Sequence, residues 1–151
     1  TIVNNYGFIA PMTLSIKPKF NNSKILVQMM INGEGHHDAT FRVLRYINQE
    51  FTAHMPPDAH QSPANTDGLA PVTYDNDNDS TINQTNLLFV DYPTPYSGWN
   101  EGVVEYQLYY KYGDGSTTKR FSLNQTHRDA TGNYGGDEHT VSSIVLQEIA
   151  Q

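Results

Sequence analysis

The chain contains no cysteine, so it has neither a disulfide scaffold nor a thiol nucleophile. This says little about compartment, because one domain of 151 residues buries roughly 70% of its unfolded surface without staples. Cations are scarce: 9 Lys and Arg stand against 16 Asp and Glu, for a net charge of -7. That balance opposes sequence-independent nucleic-acid binding, which depends on neutralising phosphates, and favours solubility instead. Long apolar runs are missing too. No stretch approaches the ~18 to 20 apolar residues that membrane insertion needs, and the best run, Ile25 to Ile31, is broken by Gln28. A basic region followed by an apolar core, the mark of a signal peptide, is not seen at the start. The first residue is Thr1 rather than Met, which reads as a mature or excised portion with anchoring sequence upstream and residues 1–11 as a connector from it. There is no G-x-S-x-G elbow, no phosphate-binding glycine loop and no sustained helical stretch.

What the chain does have is alternation. Met12, Leu14, Ile16, Pro18 and Phe20 are apolar with Thr13, Ser15, Lys17 and Lys19 between them, a half-buried strand that Pro18 places at an edge. Asn21, Asn22 and Ser23 supply turn chemistry before Ile25, Val27, Met29 and Ile31 repeat the pattern, which predicts a hairpin. Val104, Tyr106, Leu108, Tyr110 and Tyr112 share one face of the clearest strand. Gly113, Asp114 and Gly115 then read as a second hairpin, with Phe121 and Leu123 on the returning strand. Phe41 to Phe51 has competing periods: Val43, Leu44, Ile47 and Phe51 are near-helical in spacing, but its β-branched and aromatic content favours a strand with a bulge between Val43 and Leu44. These features predict one all-β domain over residues 1–151, an antiparallel β-sandwich of seven or eight strands with a jelly-roll-like order.

The last residues, T-V-S-S-I-V-L-Q-E-I-A-Q from Thr140, run apolar and β-rich to the chain end, where most chains fray. Val141, Val145 and Ile149 fall on one side and Ile144 and Leu146 on the other, so both faces are expected to be at least half covered, in a sandwich or in an assembly. S-S-I-V-L-Q-E-I-A resembles the closing strand of a family of bacteriophage fibre and virion-surface domains, abundant in marine phages. S-K-I-L-V from Ser23, F-R-V-L-R from Phe41, L-L-F-V-D-Y-P from Leu87, V-V-E-Y-Q-L-Y-Y from Val103 and F-S-L-N from Phe121 match in the same order. The resemblance implies a non-enzymatic virion structural protein: a tail-fibre, head-fibre or decoration domain on the particle surface, used for host attachment. It further implies a homotrimer, with other virion proteins as partners. Head or tail location, host and receptor stay open. A lectin-like module outside any virion and a capsid-cementing protein with no receptor role are the alternatives.

Several residue groups have chemistry suited to a site. Tyr96, Trp99 and Asn100, in P-T-P-Y-S-G-W-N-E-G, and Tyr134, in G-N-Y-G-G-D, combine rings for the C–H faces of a sugar with polar groups for its hydroxyls, and form a candidate site for a host-surface glycan. The same rings suit packing under a loop or a subunit interface equally. Asp75, Asp77 and Asp79 open like a calcium loop, but Ser80 and Asn86 stand where an EF-hand needs Gly and Glu, which leaves a non-EF calcium site against a solvated acidic loop. The histidines, His36, His37, His54, His60, His127 and His139, lack a spacing that forces convergence, so a metal would need one from each of three chains on an axis. Glu34, Asp38, Glu101 and Asp137 are the carboxylates a glycosidase would pair, a chemistry that depends on a separation no sequence supplies. With no motif tied to a mechanism, the expectation is a protein that is not an enzyme.

Overall fold

A computed structural model describes residues 2–4, 6–20, 22–36, 38–55, 68–73, 81–93, 102–112, 119–128 and 138–150. It contains ten strands among these residues and no helix. They are β1 (Ile2–Asn4), β2 (Tyr6–Ile16), β3 (Lys24–Glu34), β4 (Ala39–Ile47), β5 (Glu50–Met55), β6 (Ala70–Pro71), β7 (Asn83–Asp91), β8 (Val104–Tyr112), β9 (Arg120–Leu123) and β10 (Ser143–Ile149).

Two five-stranded antiparallel sheets pack face to face. In the first, β7 pairs along one side of β3; on the other side β10 takes Lys24 to Met30 and β9 takes Gly33 and Glu34, with β1 beyond β9. In the second, the order is β2-β8-β4, and β5 and β6 share the far side of β4. Counting β9 with β10 and β5 with β6 as shared positions, the orders β1-β9-β3-β7 and β2-β8-β4-β5 are those of an eight-position jelly roll. The expected sandwich is therefore present, with two of its strands interrupted.

Both expected hairpins are absent. β2 and β3 lie in opposite sheets, as do β8 and β9, so neither pair of strands forms a hairpin. Turn residues set a local reversal; they do not say which sheet receives the next strand. Within the stretch 1–11, read as a connector, Ile2–Asn4 form β1 and residues 6–11 the first half of β2. Phe41 to Phe51 is a strand and a hairpin: β4 turns through Asn48 and Gln49, both at positive φ (51° and 72°), into β5. The bulge falls between Arg45 and Tyr46 rather than between Val43 and Leu44. Leu44 breaks the inward phase because it faces outward between His54 and Gln107 and is still buried there.

The core forms as period-2 alternation requires. Ile25, Val27, Met29 and Ile31 of β3 meet Val104, Tyr106, Leu108 and Tyr110 of β8 and Phe41, Val43 and Ile47 of β4. Each such side chain contributes roughly 1.5–3 kcal/mol on burial. Phe121 seals one end, edge-on to Phe41 at 5.1 Å and stacked on Tyr110 at 5.7 Å. At the other end, Asp91 accepts from the Arg45 guanidinium and from the Tyr106 hydroxyl, at 2.7 Å in each case.

Candidate functional site

Tyr96, Trp99, Asn100 and Tyr134, the candidate sugar contacts, lie outside the described residues, as do Asp75, Asp77 and Asp79 of the candidate calcium loop. Glu101, Asp137, His37 and His60 lie outside them too. Among the described residues, no three His, Asp or Glu side chains form a group that can hold a metal ion.

The polar residues that the fold does bring together lie mostly inside it. Ser122 Oγ is 2.7 Å from His127 Nδ1, and Glu34 accepts a hydrogen bond from the backbone N–H of His127. A serine, a histidine and a carboxylate in one place invite a catalytic reading, but Ser122 and His127 are 0% exposed and closed off from solvent. Instead, the carboxylate of β3 holds the turn after β9 in place. His127 Nε2 is buried without a hydrogen-bond partner. The tautomer that fits has Nδ1–H donating to Ser122 and a bare lone pair at Nε2, which costs less to bury than an unmet N–H. Protonation would place a second N–H where nothing accepts it. Burial, followed by the nearby His36 and Arg120, lowers the His127 pKa to about 3. The His36 ring stacks on His127 at 4.9 Å with a 24° interplanar angle, an arrangement that does not aim two nitrogens at one cation.

A second polar cluster ties the closing strand to the turn between β2 and β3. Glu148 Oε1 accepts from the backbone N–H groups of Lys19 (2.7 Å) and Phe20 (3.1 Å) and from the Ser23 hydroxyl. Burial works against its charge, but the bonds from Ser23, Lys19 and Phe20 outweigh that and hold its pKa below the ordinary value. Asn32 ties the segment before β10 to β3: its backbone N–H donates to Ser142 Oγ and its side-chain N–H donates to the Val141 carbonyl.

The feature with no counterpart inside the chain is the outer face of the first sheet. The inward residues of β3, β7 and β10 alternate with a set that points away from the core, and the pairing aligns these in rows. Leu88, Gln28 and Val145 make one row, and Val90, Leu26 and Gln147 the next. Ile149 pairs with Lys24, whose ammonium sits 5.1 Å from the centre of the Tyr92 ring. Leu88 is 67% exposed, Tyr92 61% and Val145 51%. Val141, beyond the start of β10, is exposed as well. The expectation that both sides of the closing strand are at least half covered thus holds for Ile144 and Leu146, which pack on the core, and for Ile149, and fails within one chain for Val141 and Val145. Lys24 and Glu34 are the charged residues at the outward positions of these three strands, and Glu34, at the far end of β3, is buried, so no exposed carboxylate lies there although the chain is strongly acidic. Solvated sheet faces are ordinarily polar, and apolar patches of this kind mark contact surfaces. Compared with protein-family models, with curated proteins and with solved structures, the chain matches none.

Proposed function

We propose that this chain is a non-enzymatic structural protein of a bacteriophage virion, a fibre or head-decoration domain that assembles as a homotrimer and is displayed on the particle surface for host attachment. The observation that carries the reading is the outer face of β7, β3 and β10, where Leu88, Val90, Val145 and Ile149 are exposed among mostly uncharged polar residues and no described residue covers them. A second copy of this chain is the occupant that fits it. Two chains of charge -7 repel one another over most of their surfaces, and a face without exposed carboxylates is where that repulsion is least. Closed symmetric assembly then buries the same face in every subunit. Three stretches that resemble phage fibre domains, Ser23 to Val27, Leu87 to Pro93 and Ser142 to Ala150, lie on or beside the strands that build this face.

Light scattering coupled to size exclusion tests the reading. The expected species is a trimer of about 51 kDa, from chains of 17.0 kDa. A clean monomer would overturn self-assembly and leave a lectin-like module as the better reading. Binding to phage capsids with none to cells would mark a cement protein instead. Loss of the trimer in EDTA would assign a cation to the assembly.

A further inference from the structure

The outer face of the opposite sheet is built differently. Along β8, the Tyr109 hydroxyl donates to Gln107 Oε1 at 3.1 Å, Gln107 Nε2 donates to Glu105 Oε1 at 2.6 Å, and the Ser15 hydroxyl of β2 donates to Glu105 Oε2 at 3.1 Å. This line of polar groups has rings on both sides. Phe8 lies against Tyr109 with centroids 5.4 Å apart. Across β4 and β5, Tyr46 meets Phe51 edge-on at 5.9 Å, and Phe51 meets His54 at 5.3 Å. Phe51 is 52% exposed, although Phe is among the residues most often buried.

At the Glu105 end the face opens into a cleft of about 310 Å³ lined by Asn48, Gln49, Val103 and Glu105. That volume is at the lower end for small-molecule sites, which are roughly 300–1,000 Å³. Its wall is fixed by reciprocal bonds: Asn48 N–H donates to the Val103 carbonyl, and Val103 N–H donates to Asn48 Oδ1, both at 3.0 Å. The register places Phe51, Tyr46, Glu105 and Ser15 in a single row across four strands. A rim of amides and a carboxylate is thereby set beside a half-exposed ring.

We infer that the outer face of the β2-β8-β4-β5 sheet, with the cleft at its Glu105 end, is a binding platform for a neutral saccharide. Hydroxyl groups of a sugar donate to Glu105 and exchange bonds with the Gln49 amide, while an axial C–H face lies on Phe51. The Glu105 carboxylate lining the cleft selects against acidic sugars, as does the net charge of the chain. Cross-strand ring pairs alone would stabilise a sheet. They would not produce the cleft or leave Phe51 open to solvent. The site is on the sheet opposite the proposed assembly face, so one surface can be buried in a trimer while the other is displayed. Its biological role rests on the attachment reading above; the binding itself needs only one chain.

Two-dimensional amide NMR spectra of the full chain, titrated with methyl mannoside, methyl galactoside and methyl N-acetylglucosaminide, test the inference, with sialyllactose as the acidic comparison. The expected result is saturable shifts confined to the Asn48–Phe51 turn and the Val103–Tyr109 stretch for at least one neutral sugar. Phe51→Ala should weaken binding about five- to tenfold, the loss of one ring contact. Glu105→Gln should weaken it as much, with thermal midpoints showing that both variants remain folded. No shifts with any neutral sugar, shifts elsewhere on the chain, unchanged binding by Phe51→Ala, or equal binding of sialyllactose would each overturn it. Light scattering on the same samples separates the two readings. A monomer that binds sugar sinks the trimer and keeps the platform, and a trimer that binds none does the reverse.

Discussion

Arg45 Nη1 donates to both carboxylate oxygens of Asp91, at 2.7 and 2.9 Å, across the interior between the two sheets. The Asp91 side chain is fully buried and also accepts the Tyr106 hydroxyl, while Arg45 Nε reaches Thr52 at 3.0 Å. Burial, the Asp91 charge and its hydrogen bond together push the Tyr106 pKa well above the ordinary phenol value. The cluster fastens β4, β7, β8 and β5 at one end of the core.

Removing one member strands the others. Asp91→Ala is expected to lower unfolding free energy by about 3–5 kcal/mol, since it leaves a guanidinium buried without its counter-charge. Replacing the whole group, as Arg45→Met with Asp91→Leu and Tyr106→Phe, is expected to recover most of that loss, because well-packed apolar residues replace buried ion pairs at little cost. Urea unfolding of the two variants decides it; equal losses would show that the cluster is not a unit.

Acid should weaken the fold through His127. Its pKa is lowered to about 3 in the folded chain from 6.5, so below 6.5 the unfolded chain takes up a proton that the folded chain refuses. The stabilisation is complete above pH 6.5, declines as pH falls, and is fully lost once pH is below the folded value. By linkage the total is on the order of 4–5 kcal/mol. Thermal midpoints between pH 7 and about 3.5 should show this loss, and His127→Asn, which retains a donor for Ser122, should flatten it. An unchanged slope in that variant would place the acid sensitivity elsewhere. Glu148, whose pKa is also lowered, contributes separately as pH falls through the carboxylate range.

Gly33 pairs with both Asn83 of β7 and Leu123 of β9, where two strands converge on β3. A Cβ there would lie 2.4 Å from the Ser122 carbonyl oxygen and 2.5 Å from Phe121. Gly33→Ala is therefore expected to cost about 1–3 kcal/mol by overpacking. The denaturation midpoint measures it, and a neutral result would mean that β9 shifts freely.

Leu88, on the outer strand β7, is the most exposed of the large apolar residues that β7, β3 and β10 contribute to the proposed assembly face. Leu88→Asp places a carboxylate in each copy of that face and is expected to convert the trimer to monomer with little change in monomer stability, because the side chain makes no core contact. Light scattering and circular dichroism together check this; a trimer that persists would move the interface elsewhere.

How far the chain can be read without its structure is visible in particular residues. The alternation of Ile25 to Ile31 and of Val104 to Tyr112 dictated two core strands, because side chains two apart must share a face. The absence of sustained helical periodicity, and the polar turns between strands, left an all-β sandwich as the remaining fold. Turn chemistry at Asn21 to Ser23 and after Tyr112 was also legible, but the partners of the flanking strands were not: β2 and β3, like β8 and β9, lie in opposite sheets, and local dihedral preference contains no information about that crossing. Tertiary structure alone decided the polar clusters. Arg45 and Asp91 are 46 residues apart, Glu34 and His127 93, and Ser23 and Glu148 125. None of these pairs has a spacing that a strand or a turn would bring together. The outer faces divide in the same way. Apolar residues on both sides of β7 and β10 could be read from order alone, whereas the row from Phe51 to Ser15 exists only because the jelly roll places β5, β4, β8 and β2 side by side.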